Sequence, residues 1–345
     1  MKNKIKDSVK EYYGETLESS NDLQTNACCA SDIPNYLKPL IANINSEVSN
    51  KFYGCGSPIP SLVKDLTILD LGCGSGRDCF ILSQLVGENG KIIGVDMTEK
   101  QISVAQNNLD FHMKKFGYQS PNIEFKKGEI EDLKTLNIKD NSVDIIISNC
   151  VINLSENKEK IFKEIHRILK PGGELYFSDI FTNRRIPEKY QLDKELIGEC
   201  LAGALYIEDF RRLLSSVGFK DYRIVDNSAV TINNQKVQKK LGMIDFSSLT
   251  IRSFKLDFED ICENYGHTAY YLGTIEQSPH QFTLDNHHIF STGLPMPICG
   301  NTAKMLSETR YKDHFNIIGD FSTHYGVFDC NTPKNNSSNT GCTTC

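Results

Sequence analysis

Residues 67–79 read TILDLGCGSGRDC, in which a buried-strand pattern leads into glycines at positions 72, 74 and 76 and then into a helical pattern. Glycines let the backbone turn tightly and approach a ligand, and here they follow the carboxyl end of a strand, where open α/β sheets bind ligands. Asp96 ends the next predicted strand. A carboxylate there can accept hydrogen bonds from both hydroxyls of a ribose. The stretch therefore predicts a nucleotide-binding turn.

Strand and helix patterns alternate from this turn onward. This alternation predicts an α/β fold with a doubly wound, mostly parallel sheet. Two later segments, KDYRIVDN (220–227) and SLTIRSFKLDF (248–258), read as further strands that extend the sheet. The predicted strands are 67–71, 91–96, 122–128, 143–149 and 174–180, and the predicted helices are 78–86, 98–116, 157–169 and 207–217.

The composition divides the chain into four predicted parts. Residues 1–60 form a cysteine-containing segment with an amphipathic helix over 33–50, which we expect to cover the active site. Residues 61–258 form the α/β domain. Residues 259–330 hold six of the eight histidines without a βαβ rhythm, and we expect a small accessory domain there. Residues 331–345 lack apolar anchors, which predicts a disordered tail that contains two cysteines.

Charge and composition exclude several classes of partner. The 345-residue chain has a net charge of −6 and no basic stripe, so we expect no nucleic acid and no anionic membrane as partner. Apolar runs of about 18 residues and a secretory leader are missing, which predicts a cytoplasmic protein. We expect a monomer. Twelve cysteines are unusual in a reducing compartment, where packing, metal-binding or redox roles are commoner than disulfide staples.

The glycine turn resembles the signature of class I S-adenosylmethionine methyltransferases. Arg77 stands where a dinucleotide-binding G-x-G-x-x-G pattern needs its third glycine, and PGGEL (171–175) is similar to a later methyltransferase motif. The resemblance implies S-adenosylmethionine as co-substrate, with Asp96 on the ribose, Met97, Glu129 and Ile130 near the adenine, and Asn149 under the methionine portion. The other cofactor-binding residues that it implies are those of the turn: Asp70, Gly72, Cys73, Gly74 and Gly76.

Four cysteines indicate what is methylated. Cys150 follows the fourth predicted strand, Cys200 follows the fifth, Cys55 lies in the turn FYGCGSP, and Cys28 lies in the N-terminal segment. Soft thiolates select soft, thiophilic centres. Three thiolates around one trivalent arsenic would leave its lone pair free to attack a methyl group. The alternative is that each cysteine is a small buried apolar side chain, an interpretation that we accept for the sulfurs of Cys73 and Cys79.

At these positions the chain resembles the arsenite methyltransferase family. The matching motifs are DLQTNACC (22–29), KFYGCGSPIP (51–60), GVDMT (94–98), SNCVINL (148–154), PGGELYFSD (171–179) and GECLAGAL (198–205).

The resemblance to that family implies specific roles for the cysteines. Cys150 and Cys200 would hold arsenic, Cys55 would be a third and more mobile thiol, and Cys28 would be its redox partner. Arsenite and methylarsenite would arrive as thiol adducts, thioredoxin or glutathione would supply electrons, and no metal ion would be obligatory. The biological outcome would be arsenic detoxification.

Two other functions remain open on the sequence. A methyltransferase for a small organic acceptor such as a quinone would keep its activity after Cys150→Ser or Cys200→Ser. A thiol-based metalloid-binding protein without turnover would bind arsenite tightly but transfer no methyl group. In the accessory region, His280, His287 and His288 together with Cys262, Cys299 and Cys330 suggest a metal site, but their spacing fits no zinc template. We favour packing or surface positions for these histidines.

Overall fold

The computed structural model describes residues 33–52, 54–191, 193, 196–197, 200–232 and 234–330. They form two compact units whose boundary in the chain lies between Phe258 and Glu259. The N-terminal residues 1–32 and the tail 331–345 lie outside the described residues. Within the described ranges, no helix is both long enough and apolar enough to cross a bilayer.

An eight-stranded sheet forms the centre of the first unit. Its order is β3-β2-β1-β4-β5-β8-β7, with β6 beside β5. The pairs among β1 to β6 are parallel, whereas β8 runs antiparallel to both β5 and β7. The doubly wound, mostly parallel sheet that the sequence predicts is confirmed. The strands are β1 (Thr67–Leu71), β2 (Lys91–Asp96), β3 (Ile123–Lys127), β4 (Val143–Asn149), β5 (Leu169–Thr182), β6 (Leu205–Tyr206), β7 (Arg223–Ala229) and β8 (Phe246–Phe254).

The strand order reverses between β1 and β4, and this reversal positions the site. From β1 the chain adds β2 and β3 on one side, and then β4 and β5 on the other. Loops that leave the carboxyl ends of β1 and β4 therefore diverge and leave a crevice, the usual ligand position in open α/β sheets.

Side chains of the sheet alternate between two apolar clusters. Ile68 belongs to one cluster and its neighbour Leu69 to the other, because successive residues of a strand point to opposite faces. Both are fully buried, as are their helical partners Phe80 and Phe162. The helices of this unit are α1 (Lys38–Ile41), α2 (Ser46–Asn50), α3 (Arg77–Val86), α4 (Glu99–Asn107), α5 (Leu109–Phe116), α6 (Lys158–Ile168), α7 (Ile207–Ser216) and α8 (Gln235–Leu241).

Two predicted helices are interrupted, and in both the break contains asparagine. The helix predicted over 33–50 is instead a 3₁₀ turn, α1 and α2, with the Asn45 side chain accepting a hydrogen bond from the Glu47 amide at 2.9 Å. The helix predicted over 98–116 divides at Asn108, whose side chain donates to the Val104 carbonyl. Asparagine side chains compete with the backbone for hydrogen bonds, which favours caps and breaks over helix interiors.

His112 joins these two regions. Its Nε2 accepts a hydrogen bond from the Asn45 amide at 3.0 Å, and its Nδ1 lies 2.7 Å from the Asn108 carbonyl oxygen. The ring also stacks on Phe80, with centroids 3.7 Å apart. Burial lowers the pKa of His112. The imidazole is therefore neutral with its proton on Nδ1, and it holds the segment that leads to Cys55 against the domain core.

The second unit is small and rich in short strands. A three-stranded antiparallel sheet has the order β12-β9-β13, and β10 pairs with β11. Aromatic rings form much of its core, including Tyr271, Phe282 and Tyr311. Its elements are β9 (Thr268–Tyr271), β10 (Gln281–Thr283), β11 (Ile289–Ser291), β12 (Pro295–Pro297), α9 (Gly300–Ser307) and β13 (Phe315–Ile318).

Candidate active site

An open pocket lies at the carboxyl edge of β1, β2 and β4. Most of the predicted cofactor residues line it. They are Asp70, Gly72, Cys73, Gly74, Asp96, Met97, Ile130 and Asn149.

Two predicted cofactor residues lie outside the pocket lining. Glu129 is exposed to solvent, and Ile130 and Glu131 line the pocket in its place. Gly76 begins α3 with a φ of 87°, and a Cβ there would lie 2.8 Å from the Phe125 ring. Gly76 is therefore required for the turn and its packing, and its contact with the cofactor stays a prediction.

The middle of the glycine turn faces open space. Gly74 has a φ of 53°, and a Cβ built there would meet no atom within 4 Å. Its amide donates a hydrogen bond to Asp96 Oδ2 at 3.0 Å, and the Thr98 amide donates to Asp96 Oδ1 at 2.7 Å. Each carboxylate oxygen keeps a further lone pair, so Asp96 can close the turn and still accept hydroxyl hydrogen bonds.

Charged side chains line the pocket: the bases Lys51 and Arg77, the acid Glu131, and three further acids whose pKa values are shifted, Asp70, Asp78 and Asp96. Burial raises the pKa of each of these three acids, and the charges of Asp78 and Asp96 raise that of Asp70 further. Arg77 opposes the shift at Asp78, to which it donates at 3.2 Å. A cationic ligand would relieve the repulsion among these acids. The pocket is therefore suited electrostatically to a nucleoside that carries a sulfonium and an ammonium group.

Three cysteines of the first unit meet beside this pocket. Cys55 and Cys150 form a disulfide with their Cα atoms 5.7 Å apart, and Cys150 itself lines the pocket. The Cys200 Sγ donates a hydrogen bond to the Cys150 carbonyl oxygen at 3.6 Å. All three side chains are at most 3% exposed and belong to one apolar cluster. The structure thus brings together three of the four cysteines that the sequence singles out.

The turn that carries Cys55 is held firmly. Its amide donates to Asn149 Oδ1 at 3.0 Å, and its carbonyl accepts from Ser248 Oγ at 2.8 Å. A Cβ at Gly54 would lie 2.4 Å from Asn149, and one at Gly56 would lie 2.5 Å from Ser178. In this disulfide-bonded state the Cys55 sulfur is bonded to Cys150, and the mobility that the family resemblance implies for the reduced thiol stays a prediction. The Cys55 backbone is fixed at both ends of the residue.

Among the described residues, the Asn149 side chain forms four hydrogen bonds, to the turn that carries Cys55 and to Asp78. Besides the Cys55 amide, its side chain accepts from the Gly56 amide at 3.3 Å and donates to the Gly56 carbonyl at 3.0 Å. Its Nδ2 also donates to Asp78 Oδ2 at 3.1 Å. Asn149 therefore connects the cysteine turn to an acid of the cofactor pocket.

Asp179 is a buried acid at the cysteine cluster. One of its oxygens and the sulfurs of Cys55 and Cys150 all lie within 4.8 Å of one another. Asp179 accepts hydrogen bonds from the Asn153 and Ile180 amides, at 3.0 Å and 2.9 Å. Burial nevertheless raises its pKa to about 7. A carboxyl group beside the thiols is thus able to exchange protons near neutral pH.

Lys158 supplies a cation close to Asp179. Its Nζ donates to the carbonyl oxygens of Asn153 and Ser155, at 3.2 Å and 2.8 Å. Burial lowers the pKa of Lys158 to about 8, and the charge of Asp179 opposes this shift. The two groups therefore change charge over adjacent pH ranges.

Cys73 and Cys79 lie in the apolar cluster around α3. Burial raises the pKa of Cys73 to about 11 and also raises that of Cys79. Cys79 donates a hydrogen bond to Asp70 at 3.3 Å. Both sulfurs stay protonated at neutral pH, in agreement with the packing role assigned to them. Cys28 and the tail cysteines Cys342 and Cys345 lie outside the described residues. So does Tyr53, which the family resemblance implies would line the pocket.

Comparison with known proteins identifies relatives of both units. Residues 62–227 match a family model described as a methyltransferase domain. Residues 265–339 match one described as the arsenite methyltransferase C-terminal domain.

Individual relatives align with most of the chain. An arsenite methyltransferase of Aquipseudomonas alcaligenes is 49% identical over 94% of this chain and 93% of the relative. The human arsenite methyltransferase is 41% identical over 91% of this chain and 84% of the relative. Among solved structures, CrArsM, an arsenic(III) S-adenosylmethionine methyltransferase from Chlamydomonas reinhardtii, is 45% identical with a TM-score of 0.83. That similarity covers 86% of this chain and all of the algal chain.

Proposed function

The chain belongs to the arsenite methyltransferase family, and from that premise we propose that Cys55, Cys150 and Cys200 hold trivalent arsenic while it is methylated. It is an S-adenosylmethionine-dependent methyltransferase of EC class 2.1.1. The observation that carries the proposal is the convergence of the three cysteines beside the cofactor pocket, with Cys150 in its wall. Thiolates prefer soft centres such as arsenic(III).

Arsenic binding requires the Cys55–Cys150 disulfide to be opened first, because both sulfurs are bonded to each other. Arsenite or methylarsenite then arrives as a thiol adduct and exchanges onto the protein thiolates. S-adenosylmethionine supplies an electrophilic methyl group when bound. The arsenic lone pair attacks the methyl carbon, the carbon–sulfur bond breaks, and S-adenosylhomocysteine leaves. The cysteines hold the arsenic, exclude water and align the lone pair.

A reducing step completes the cycle. Because arsenic gives up its lone pair to the new bond, it is formally oxidised from the trivalent to the pentavalent state. Two thiols can return two electrons by forming a disulfide. The Cys55–Cys150 bond supports this step, since it joins two of the cysteines assigned to arsenic. The pairing differs from the Cys28–Cys55 couple that the family resemblance implies. Thioredoxin or glutathione would reopen the disulfide.

The test is arsenic speciation. Purified protein is incubated with arsenite, S-adenosylmethionine and glutathione, and the arsenicals are separated by chromatography with element detection. We expect methyl- and dimethylarsenicals with wild-type protein and none without the co-substrate. A complete absence of methylated arsenic from folded, reduced protein that binds S-adenosylmethionine would refute the proposal.

The rival acceptor, a small organic molecule such as a quinone, is separated by the same assay. If arsenic is the acceptor, Cys150→Ser removes product, whereas an organic acceptor would leave turnover intact. Cys28→Ser should impair methylation of arsenite more than methylation of methylarsenite if Cys28 only recycles or supports the third thiol. Equal losses on both substrates would exclude that role.

The cellular setting forms part of the same proposal. We place the enzyme in the cytoplasm as a monomer, where it detoxifies arsenic without an obligatory metal ion. Arsenite, methylarsenite and a thiol reductant are its proposed partners, and the net charge of −6 gives no reason to expect nucleic acid.

A further inference from the structure

The second unit contains a separate cluster of cysteines. Cys262, Cys299 and Cys330 place their sulfurs within 4.8 Å of one another. All three are free of disulfides. Cys299 is fully buried, whereas Cys262 and Cys330 are partly exposed.

Main-chain hydrogen bonds assemble this cluster from distant parts of the sequence. The Phe328 amide donates to the Cys262 carbonyl at 2.8 Å, which lays the segment before Cys330 along that of Cys262. The Gly300 amide donates to the Glu263 carbonyl at 2.9 Å, which brings Cys299 beside the same segment. Backbone hydrogen bonds therefore hold the three chain segments together. The closeness of the three sulfurs follows from this backbone arrangement as well as from the side-chain rotamers.

The position of Cys299 favours a negatively charged sulfur. Cys299 is the N-cap of α9, and its Sγ accepts a hydrogen bond from the Thr302 amide at 3.4 Å. The amides and dipole at a helix N-terminus stabilise a thiolate.

We propose that Cys262, Cys299 and Cys330 form a second arsenic(III)-binding site, one that binds arsenite without methylating it. The geometry is the basis: three sulfurs from three segments surround one point, and soft sulfur ligands select a thiophilic centre. The inference rests on the proposed function only for the identity of the metalloid. Binding at this site requires neither S-adenosylmethionine nor the Cys55, Cys150 and Cys200 cluster.

The number of ligands favours arsenic over zinc. Structural zinc sites are almost always tetrahedral with four protein ligands. In the described part of the chain, the set that meets within 4.8 Å consists of the three sulfurs alone. His288, one of the histidines that the sequence suggests for a metal site, pairs instead with Asp285 at 2.8 Å, while His280 and His287 are exposed. Trivalent arsenic needs three ligands, since its lone pair occupies the fourth direction.

Binding involves ligand exchange without a change of oxidation state. Arsenous acid, As(OH)₃, loses its three hydroxyl groups and forms three arsenic–sulfur bonds. Each departing hydroxide takes the proton of one thiol and leaves as water. Three thiols and one arsenous acid therefore give one tris-thiolate complex and three waters, and no reductant or oxidant is consumed.

The test counts arsenic on full-length protein. The chain is reduced with a phosphine, because a dithiol would itself chelate arsenite, and it is incubated with arsenite in the absence of S-adenosylmethionine. After gel filtration, bound arsenic per chain is measured by element detection. We expect two arsenic atoms per wild-type chain, and one fewer in both Cys262→Ser and Cys330→Ser. X-ray absorption of a Cys150→Ser/Cys200→Ser variant should show arsenic bound to three sulfurs.

Controls separate this inference from the proposed function. Cys79→Ser, a buried cysteine in neither cluster, should bind as much arsenic as the wild type. A Cys29/Cys342/Cys345→Ser background removes sulfurs that lie outside the described residues and have no proposed role in either site, and it should lower neither site's occupancy. If methylation fails but one arsenic is lost in Cys262→Ser, only the proposed function is wrong.

Two results would overturn the second site. The first is an arsenic count that does not change in folded Cys262→Ser and Cys330→Ser proteins. The second is a stoichiometric zinc ion that copurifies with the three cysteines and that arsenite does not displace. Circular dichroism of each variant confirms folding, and Cys330→Ser, at a partly exposed position, serves where another variant unfolds.

Discussion

The Cys200 Sγ donates a hydrogen bond to the Cys150 carbonyl oxygen, and both residues have a φ of 59°. This left-handed backbone region costs a residue with a side chain about 1–2 kcal/mol. Such strain persists where the surrounding structure fixes the residue, and it clusters at functional sites. The Cys150 amide donates a hydrogen bond to the Ser178 carbonyl oxygen at 2.9 Å, which helps to fix this conformation. The two cysteines thus share an unusual backbone conformation as well as a contact.

Replacing Cys200 by serine should strongly reduce arsenic methylation. The variant keeps size and a hydrogen-bond donor but loses a soft ligand, so arsenite methylation should fall at least tenfold, equivalent to about 1.4 kcal/mol. Product formation is followed by chromatography, and S-adenosylmethionine affinity by calorimetry should not change. Cys79→Ser is the matched control. Retention of full activity by Cys200→Ser would remove this residue from the proposed arsenic site.

Replacing Asp96 by alanine should weaken cofactor binding. The carboxylate holds the Gly74 and Thr98 amides, and a hydrogen bond to a charged group contributes about 1.5–3 kcal/mol. The dissociation constant of S-adenosylhomocysteine, measured by calorimetry, should therefore rise roughly 10- to 100-fold. Asp110→Ala, on the exposed side of α5, should bind normally. Equal affinities for the two variants would contradict the assigned role of Asp96.

The pKa of Asp179 predicts a pH-dependent change in stability. Its folded pKa is raised from 3.8 to about 7, so the stability gained from the protonated form is complete below the unfolded pKa and is lost as the pH rises through 7. Asp179→Asn cannot ionise and should lack this loss. From acidic to mildly alkaline pH, the variant should gain up to about 4 kcal/mol relative to wild type.

Urea unfolding of oxidised protein measures this difference at several pH values. Oxidation keeps Cys55 and Cys150 from titrating. Because the charge of Asp179 also raises the pKa of Lys158, which is about 8, the change in stability below pH 7 decides the test. Asp110→Asn is the control, and its stability should parallel that of the wild type. A constant difference between Asp179→Asn and wild type across the range would show that the Asp179 pKa is not raised.

His112 predicts a loss of stability in acid. Its folded pKa is lowered by burial, so its contribution is present above the unfolded pKa and is lost as the pH falls through that value. Between about pH 7.5 and about pH 5.5, which span the ordinary histidine pKa, the wild-type melting temperature should therefore fall more than that of His112→Gln. The control is His287→Gln, at an exposed position. Identical pH profiles of His112→Gln and wild type would contradict this origin.

The order of the elements could be predicted from sequence because its signals are local. The run 67–79 contains a strand, a turn and a helix start within one continuous stretch, and the carboxyl end of each parallel strand faces the same edge. That rule alone places Asp96, Asn149 and Cys150 around one crevice. The two helix breaks could also have been predicted, because asparagines stand at 45 and 108. The helical spacing of the apolar residues on either side predicts continuous helices instead.

What the sequence could not supply was pairing between distant segments. Asp78 and Asp179 lie within motifs that were recognised, yet their importance depends on burial and on neighbours far along the chain. The Cys55–Cys150 bond spans 95 residues, and spacing alone does not give connectivity. The meeting of Cys262 with Cys299 and Cys330 likewise depends on backbone pairing that no local pattern indicates.

The side-chain amide of Asn149 has a thermodynamic consequence. Its Oδ1 accepts a hydrogen bond from the Cys55 amide, and its Nδ2 donates one to the carboxylate of Asp78. A ligand at the cysteines and a ligand in the cofactor pocket would therefore both act on the Asn149 side chain. If one ligand changes the affinity for the other by some factor, the second changes the affinity for the first by the same factor. If arsenic binds at the cysteines as proposed, nucleoside and metalloid each change the affinity for the other by the same factor, to the extent that this amide responds to both.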